Sequence, residues 1–281
     1  MKKVIAFILI LSLSSCKSKQ LNNATQQEKA SGAKNPISEQ NSISEPIIVS
    51  KIGDSLFKSK IIQKAKNYSK VNKNRFEFNS IPADSSINVK TVVISGNLFS
   101  KNKKHLYIQN KSANGIEYYI YLLTGETYLQ VLYIKNENSN ITDTLKDVNG
   151  DRYNDLLINW ISSAGCCLRN YYNVYLYLPN NGGFTSEYGF MNPTFSPKEL
   201  TILGIEYGHP EEIGLYKYKW NKLKIDTIEY IYHFNKNSWQ FIKTKKQMYK
   251  PQFSDGVLLK KLPEEYKQIE GLDWYLNKDF H

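Results

Sequence analysis

Cysteine is scarce in this chain of 281 residues. There are three, Cys16, Cys166 and Cys167, too few for a disulfide-stapled scaffold or a four-cysteine zinc site. Arginine is as rare, with Arg75, Arg152 and Arg169 against a background of lysine. The four histidines are scattered, and none stands in the H-E-x-x-H spacing of a metalloprotease. A phosphate-cradling glycine loop and a serine nucleophile elbow are absent as well. A non-enzymatic protein is therefore expected. An enzyme acting on envelope glycans stays as the alternative, with carboxylates drawn from Glu206, Glu211 or Asp226 on separate strands, and a structural component of a surface complex is a third. Long apolar runs are also missing. The longest, Val4 to Leu13, is about half the roughly twenty residues that a bilayer-spanning helix needs.

That short run has a specific setting. Lys2 and Lys3 precede it, and the small residues Ser14 and Ser15 lead into Cys16, which is the plan of a secretory signal over residues 1–15. Leu13-Ser14-Ser15-Cys16 resembles the lipobox of bacterial lipoproteins. The resemblance implies cleavage before Cys16 and lipidation of that cysteine, palmitate included. Lys17-Ser18-Lys19 has neither an aspartate beside Cys16 nor an acidic cluster. By the same resemblance this favours the outer membrane, its periplasmic face over the cell surface.

The formal charge of +11 can signal nucleic acid or anionic lipid. Here the lysines are dispersed among Asn, Ile and Tyr. The densest runs, Lys101 to Lys104 and Lys243 to Lys246, read as solvated faces, and no nucleic-acid partner is expected. Residues 16–46 are polar and poor in aromatics, so they cannot bury enough apolar surface to offset their ordering entropy; they read as the lipidated cysteine and a flexible tether. Residues 47–281 read as one β-rich domain.

Asp54 to Tyr68 predicts one short N-terminal helix, with Asp54 or Ser55 as N-cap and apolar residues at 3-to-4 spacing. A second short helix is expected within Pro263 to Leu276. Between them β patterning dominates: Arg75 to Phe78, Val89 to Ile94, Tyr118 to Leu123, Tyr128 to Ile134, Tyr171 to Leu178 and Tyr216 to Trp220 alternate or are rich in β-branched and aromatic residues. Turns such as Asn114-Gly115 and Thr124-Gly125 separate them. The twenty-one tyrosines suit half-buried strands with a wet outer edge. Asn97 to Ile108 and Asp147 to Ile158 form a weak repeat, each a polar loop running into a strand, and a third copy without the loop is suggested around Leu200 to Trp220. The expected fold is mainly β: propeller-like, or a sandwich of repeated antiparallel hairpins.

The most informative stretch is Asp147-Val-Asn-Gly-Asp-Arg-Tyr-Asn-Asp155. Oxygen side chains at positions 1, 3, 5 and 9, with the carbonyl at position 7, can converge on one hard cation. An EF-hand is excluded, because position 12 is Ile158 rather than Glu, and Leu156 to Trp160 reads as a buried strand. The loop resembles the calcium loop of FG-GAP (integrin α-subunit-like) repeats, which sits between two strands of a propeller blade. The resemblance implies Asp147, Asn149, Asp151 and Asp155 as side-chain ligands and the backbone oxygen of Tyr153, holding a structural Ca²⁺. It covers about a dozen residues and departs at position 6, where the family has Gly and this chain has Arg152. A loop of Asx turns that caps a strand without metal is the other reading.

Cys166 and Cys167 could close a vicinal disulfide in an oxidising envelope; the alternative is two small residues at a strand start, one of them buried. His105 replaces the last aspartate in the degenerate copy of the loop. His209 falls in a Gly/Pro-flanked loop, and His233 beside aromatics on a strand. Together these features suggest an anchored binding module recognising a protein or a glycan. The loop is also similar to that of periplasmic immunity lipoproteins that block lysozyme-type effectors, which implies a peptidoglycan hydrolase as partner.

Overall fold

The computed structural model describes residues 56–70, 75–80, 88–138, 141–161, 167, 170–209, 212–235 and 238–276. Cys16, the tether, Asp54, Ser55, Cys166 and Glu211 lie outside them.

The chain is mainly β, with several antiparallel sheets and a short leading helix. Helix α1 (Leu56–Ser69) is followed by β1 (Arg75–Ser80), β2 (Val89–Gly96), β3 (His105–Ser112), β4 (Gly115–Thr124) and β5 (Thr127–Asn136), which pair in that order as a five-stranded meander. Next come β6 (Ile141–Lys146), β7 (Asp155–Ile161), β8 (Asn170–Tyr175), the short ribbon of β9 (Tyr177–Leu178) and β10 (Gly183–Phe184), and β11 (Tyr188–Met191). Strands 6, 7, 8 and 11 make the second sheet, in the order β11-β8-β7-β6. The third is a six-stranded meander of β12 (Pro193–Ser196), β13 (Thr201–Ile205), β14 (Gly214–Asn221), β15 (Lys224–Asn235), β16 (Ser238–Thr244) and β17 (Val257–Leu259). A 3-10 turn (Phe253–Asp255) precedes β17. A second (Glu264–Gln268) and α2 (Leu272–Tyr275) follow it. Among the described residues no sheet closes into a barrel or a propeller.

Side-chain alternation sets how these layers stack, because successive residues of a strand face opposite sides. On β4, Ile116, Tyr118, Ile120 and Leu122 point into the core shared with the second sheet, where Leu156, Ile158, Tyr175 and Tyr177 meet them. Tyr119 and Tyr121 point the other way, to Ile62 and Ala65 of α1. On the second sheet, Leu157 and Val174 face away from that core and join Tyr216, Tyr218 and Trp220 of β14. Leu215, on the opposite face of β14, packs with Tyr266, Ile269 and Tyr275 of the C-terminal turns. Helix, sheet, sheet, sheet and C-terminal turns thus form successive layers around four apolar cores.

This stacking corrects the sequence expectation for tyrosine. Tyr107, Tyr118, Tyr119, Tyr177, Tyr230, Tyr232, Tyr266 and Tyr275 are fully buried, not half-wet. Each sheet is covered on both faces, so the positions expected to meet solvent meet another layer. Most of the hydroxyls find acceptors there, as burial requires: Tyr107 donates to Asp143 (2.7 Å), Tyr216 to the Met191 carbonyl (2.7 Å) and Tyr275 to the Ile231 carbonyl (3.1 Å).

The repeat at an offset of fifty residues has a structural counterpart. Gly96 pairs with His105 across β2 and β3, and Lys146 pairs with Asp155 across β6 and β7. Both hairpins therefore enclose loops of equal length, 97–104 and 147–154. His105 and Asp155 occupy the same register position, and both are buried. The suggested third copy differs from expectation in having a loop: residues 206–213 connect β13 to β14, closed by the Glu206 N–H donating to the Gly214 carbonyl at 3.0 Å.

Candidate metal centre

The loop 147–154 crosses from β6 to the neighbouring strand β7 and is built by its own side chains. Asp147 Oδ1 accepts the Gly150 N–H (2.7 Å) and Asp147 Oδ2 the Arg152 N–H (2.9 Å). Asn149 Oδ1 accepts from Asp151 N (3.1 Å), Asp151 Oδ1 from Tyr153 N (2.9 Å), and Asn149 Nδ2 donates to Asp151 Oδ2 (3.0 Å). Each side chain substitutes for a missing backbone partner, which is how Asx residues close tight turns.

Two residues permit the curl. Gly150 has φ +79, and a Cβ there would lie 2.4 Å from Leu200 and 2.5 Å from the Pro197 carbonyl, so no other residue fits without moving the β12–β13 turn. Arg152 has φ +72. A side-chained residue thus adopts a left-handed conformation here, at a cost on the order of 1 kcal/mol.

Asp155 is the innermost member, with no exposed surface. Its Oδ2 accepts the Val148 N–H (3.0 Å) and its Oδ1 the Tyr177 N–H (2.9 Å), so it joins the loop's start to β9. Burial pushes its carboxyl up to about 7; the two amides pull it down, and the charges of Asp151 and Asp147 add to the rise. Three carboxylates thus crowd one loop.

The loop also rests on its degenerate counterpart. The Asn154 N–H donates to the Phe99 carbonyl (3.1 Å) and Asn154 Nδ2 to the Leu98 carbonyl (2.8 Å). In the counterpart, His105 packs edge-on against Phe99 and Tyr177, and burial lowers its pKa. It is a buried core residue at the position where the other loop has Asp155. Asn154, Leu98 and Tyr177 were not singled out from sequence, because their contacts span 22 to 56 residues.

The donor set of Asp147, Asn149, Asp151, Asp155 and the Tyr153 carbonyl is all oxygen, which suits a hard cation. A carboxylate oxygen that accepts one N–H keeps a second lone pair for a metal. Among the described residues no group of three His, Cys, Asp or Glu side chains is already gathered at metal-binding distance. The loop as it stands is held by amide hydrogen bonds.

Among the described residues, the carboxylates Glu206 and Asp226 are not brought together. Glu206 sits after β13, accepting the Gly214 N–H at 2.8 Å beside Tyr232, and Asp226 is beside the β14–β15 turn, accepting from Asn221 Nδ2. Tyr232 and Asp226 are six residues apart on one strand, about 20 Å. A carboxylate pair acting on one glycosidic bond needs a separation of about 5–10 Å. Cys167 is disulfide-bonded and has φ +76; its partner cysteine lies outside the described residues. His233 lies on β15, stacked on Tyr275, with Nε2 3.1 Å from the Tyr275 carbonyl oxygen.

Compared with known proteins, the chain matches no family model, and no curated protein or solved structure is detectably similar to it.

Proposed function

We propose that this chain is a lipid-anchored envelope binding protein whose β domain is stabilised by one calcium ion and recognises a protein or a glycan. In this reading Cys16 carries the lipid at the periplasmic face of the outer membrane, and residues up to 46 tether the domain. Asp147, Asn149, Asp151, Asp155 and the Tyr153 carbonyl hold the ion, and the partner is a lysozyme-type peptidoglycan hydrolase, which the domain inhibits. The repeated hairpins are read as blade-like units, with the ion loop between the first two strands of its own sheet.

The observation that carries the reading is the geometry of loop 147–154. It joins adjacent antiparallel strands, keeps φ +72 at Arg152, and is seated on the core through Asp155. An Asx-closed turn alone needs no buried third carboxylate; a cation gives that carboxylate a reason to be ionised. A basic chain, at +11 and at +9 once Lys2 and Lys3 leave with residues 1–15, suits the acidic cleft of a hydrolase.

Two measurements test it. Labelled palmitate should enter the wild-type chain and not Cys16→Ser; equal labelling contradicts the anchor. The purified chain should slow peptidoglycan clearing by a lysozyme-type hydrolase, with an end point at one equivalent. Unchanged clearing at excess chain contradicts inhibition, and release of glycan fragments by the chain alone would make it an enzyme instead.

A further inference from the structure

Charge and exposure coincide in one segment. Residues 243–261 contain six lysines (Lys243, Lys245, Lys246, Lys250, Lys260 and Lys261) and one acid, Asp255. This net of five positive charges is nearly half of the +11 carried by all 281 residues. The same segment holds the three most exposed large hydrophobic side chains of the described residues: Tyr249 (68 %), Phe253 (62 %) and Val257 (61 %).

The segment is held in place, so this exposure is built. The Met248 N–H donates to the Tyr232 hydroxyl (2.8 Å), Met248 packs on the core between the second and third sheets, and Pro251 is buried. Asp255 Oδ2 accepts the Gln252 N–H (2.6 Å) and closes the 3-10 turn. Gly256 is extended, and a Cβ there would lie 2.2 Å from the Lys243 carbonyl. Its missing side chain lets the turn lie flat on β16, and β17 then pairs with Lys243 to Phe241. Met248 and Pro251 point inward while Tyr249, Phe253 and Val257 point out. Lys250 lies 5.1 Å from the Tyr249 ring and 3.0 Å from Glu212, and Tyr249 donates to the same glutamate (2.8 Å). Lys245, Lys246, Lys260 and Lys261 are all exposed.

We infer that this segment is a docking surface for an anionic phospholipid bilayer, with Phe253, Tyr249 and Val257 entering the headgroup region and Lys245, Lys246, Lys260 and Lys261 facing its phosphates, while Lys243 and Lys250 stay paired with Glu229 and Glu212. Aromatic rings among lysines are the composition of membrane interfaces. Juxtaposed basic residues are each attracted to an anionic leaflet strongly enough to matter several at a time. A concave acidic protein would supply the charge, but three exposed apolar side chains, Tyr249 in the connection after β16, Phe253 in the 3-10 turn and Val257 on the edge strand β17, fit a penetrable surface better. The inference does not rest on the lipid on Cys16: it concerns the folded domain.

The test is vesicle sedimentation of the chain carrying Cys16→Ser, which takes no lipid. Vesicles of phosphatidylcholine alone are compared with vesicles containing phosphatidylglycerol as well. The expected result is partitioning to the anionic vesicles only, weakening as salt rises and unaffected by inorganic phosphate at constant ionic strength. Lys245→Gln with Lys246→Gln should lower the partition coefficient roughly tenfold to thirtyfold, and Phe253→Ser should lower it further, with the melting temperature unchanged. All variants share one N-terminus, so its own contribution cancels. Equal binding to both vesicle types, or anionic binding that the lysine variant retains, overturns the inference. Binding to soluble polyglutamate in preference to vesicles also overturns it, assigning the surface to an acidic polypeptide.

Discussion

The carboxylate of Asp155 accepts the backbone N–H of Tyr177 at 2.9 Å, twenty-two residues further along the chain. One buried side chain thereby fixes where β7 begins, where loop 147–154 starts and where the β9 ribbon attaches. Replacing it with alanine would leave the Val148 and Tyr177 amides buried without acceptors. We expect Asp155→Ala to cost about 2–4 kcal/mol in urea unfolding without calcium. A loss below about 1 kcal/mol would mean that Asp155 serves only as an ion ligand.

Arg152 offers a substitution in the opposite direction. Its φ of +72 is one that glycine adopts freely, although glycine also loosens the unfolded chain. Arg152→Gly should leave stability within about 1 kcal/mol of wild type and should tighten calcium binding by removing a positive charge from the loop. Titration calorimetry that finds weaker binding in the variant would show that the arginine holds the loop in shape.

Glu206 gives a pH dependence. Burial raises its pKa, opposed by the Gly214 amide and by Gln247 and Tyr232. The folded state therefore holds this proton more tightly than the unfolded chain. The stability it contributes is complete below the ordinary carboxylate range and is lost as pH rises through the elevated pKa. Glu206→Gln should remove that decline, so the two proteins should converge at low pH and separate above it. Parallel stability curves across this window would place the titration elsewhere.

Legibility in the sequence followed the contrast between the two faces of each segment. β4 was readable from its unbroken series Tyr118 to Leu123 and β14 from the alternation of Tyr216, Tyr218 and Trp220 with lysines, and the equal loops at 97–104 and 147–154 were visible as a repeat. β6 was not: Ile-Thr-Asp-Thr-Leu-Lys is an edge strand whose alternate residues are exposed, so it resembles a polar connection. The tyrosines misled because alternation locates a strand's faces but cannot say that both are covered. In loop 147–154 the Asx residues that close the turns and the left-handed position 152 were legible. The Tyr177 amide and the Leu98 carbonyl that seat the loop were not, since nothing local marks a partner so far along the chain. The lysines of 243–246 read as a solvated face, and Lys245 and Lys246 are exposed; the exposed Tyr249, Phe253 and Val257 beside them were not legible, since exposure of an apolar residue has no local mark.

The central claim is that loop 147–155 binds calcium as part of the folded domain, and scanning calorimetry with calcium or with chelator tests it most directly. For a Kd of about 10⁻⁴–10⁻³ M, about 10 mM calcium adds roughly 1.4–2.7 kcal/mol, or about 3–10 °C in Tm for a domain of this size. The account expects that gain in the wild type and none in Asp151→Ala. Identical melting of the wild type in calcium and in chelator would contradict it.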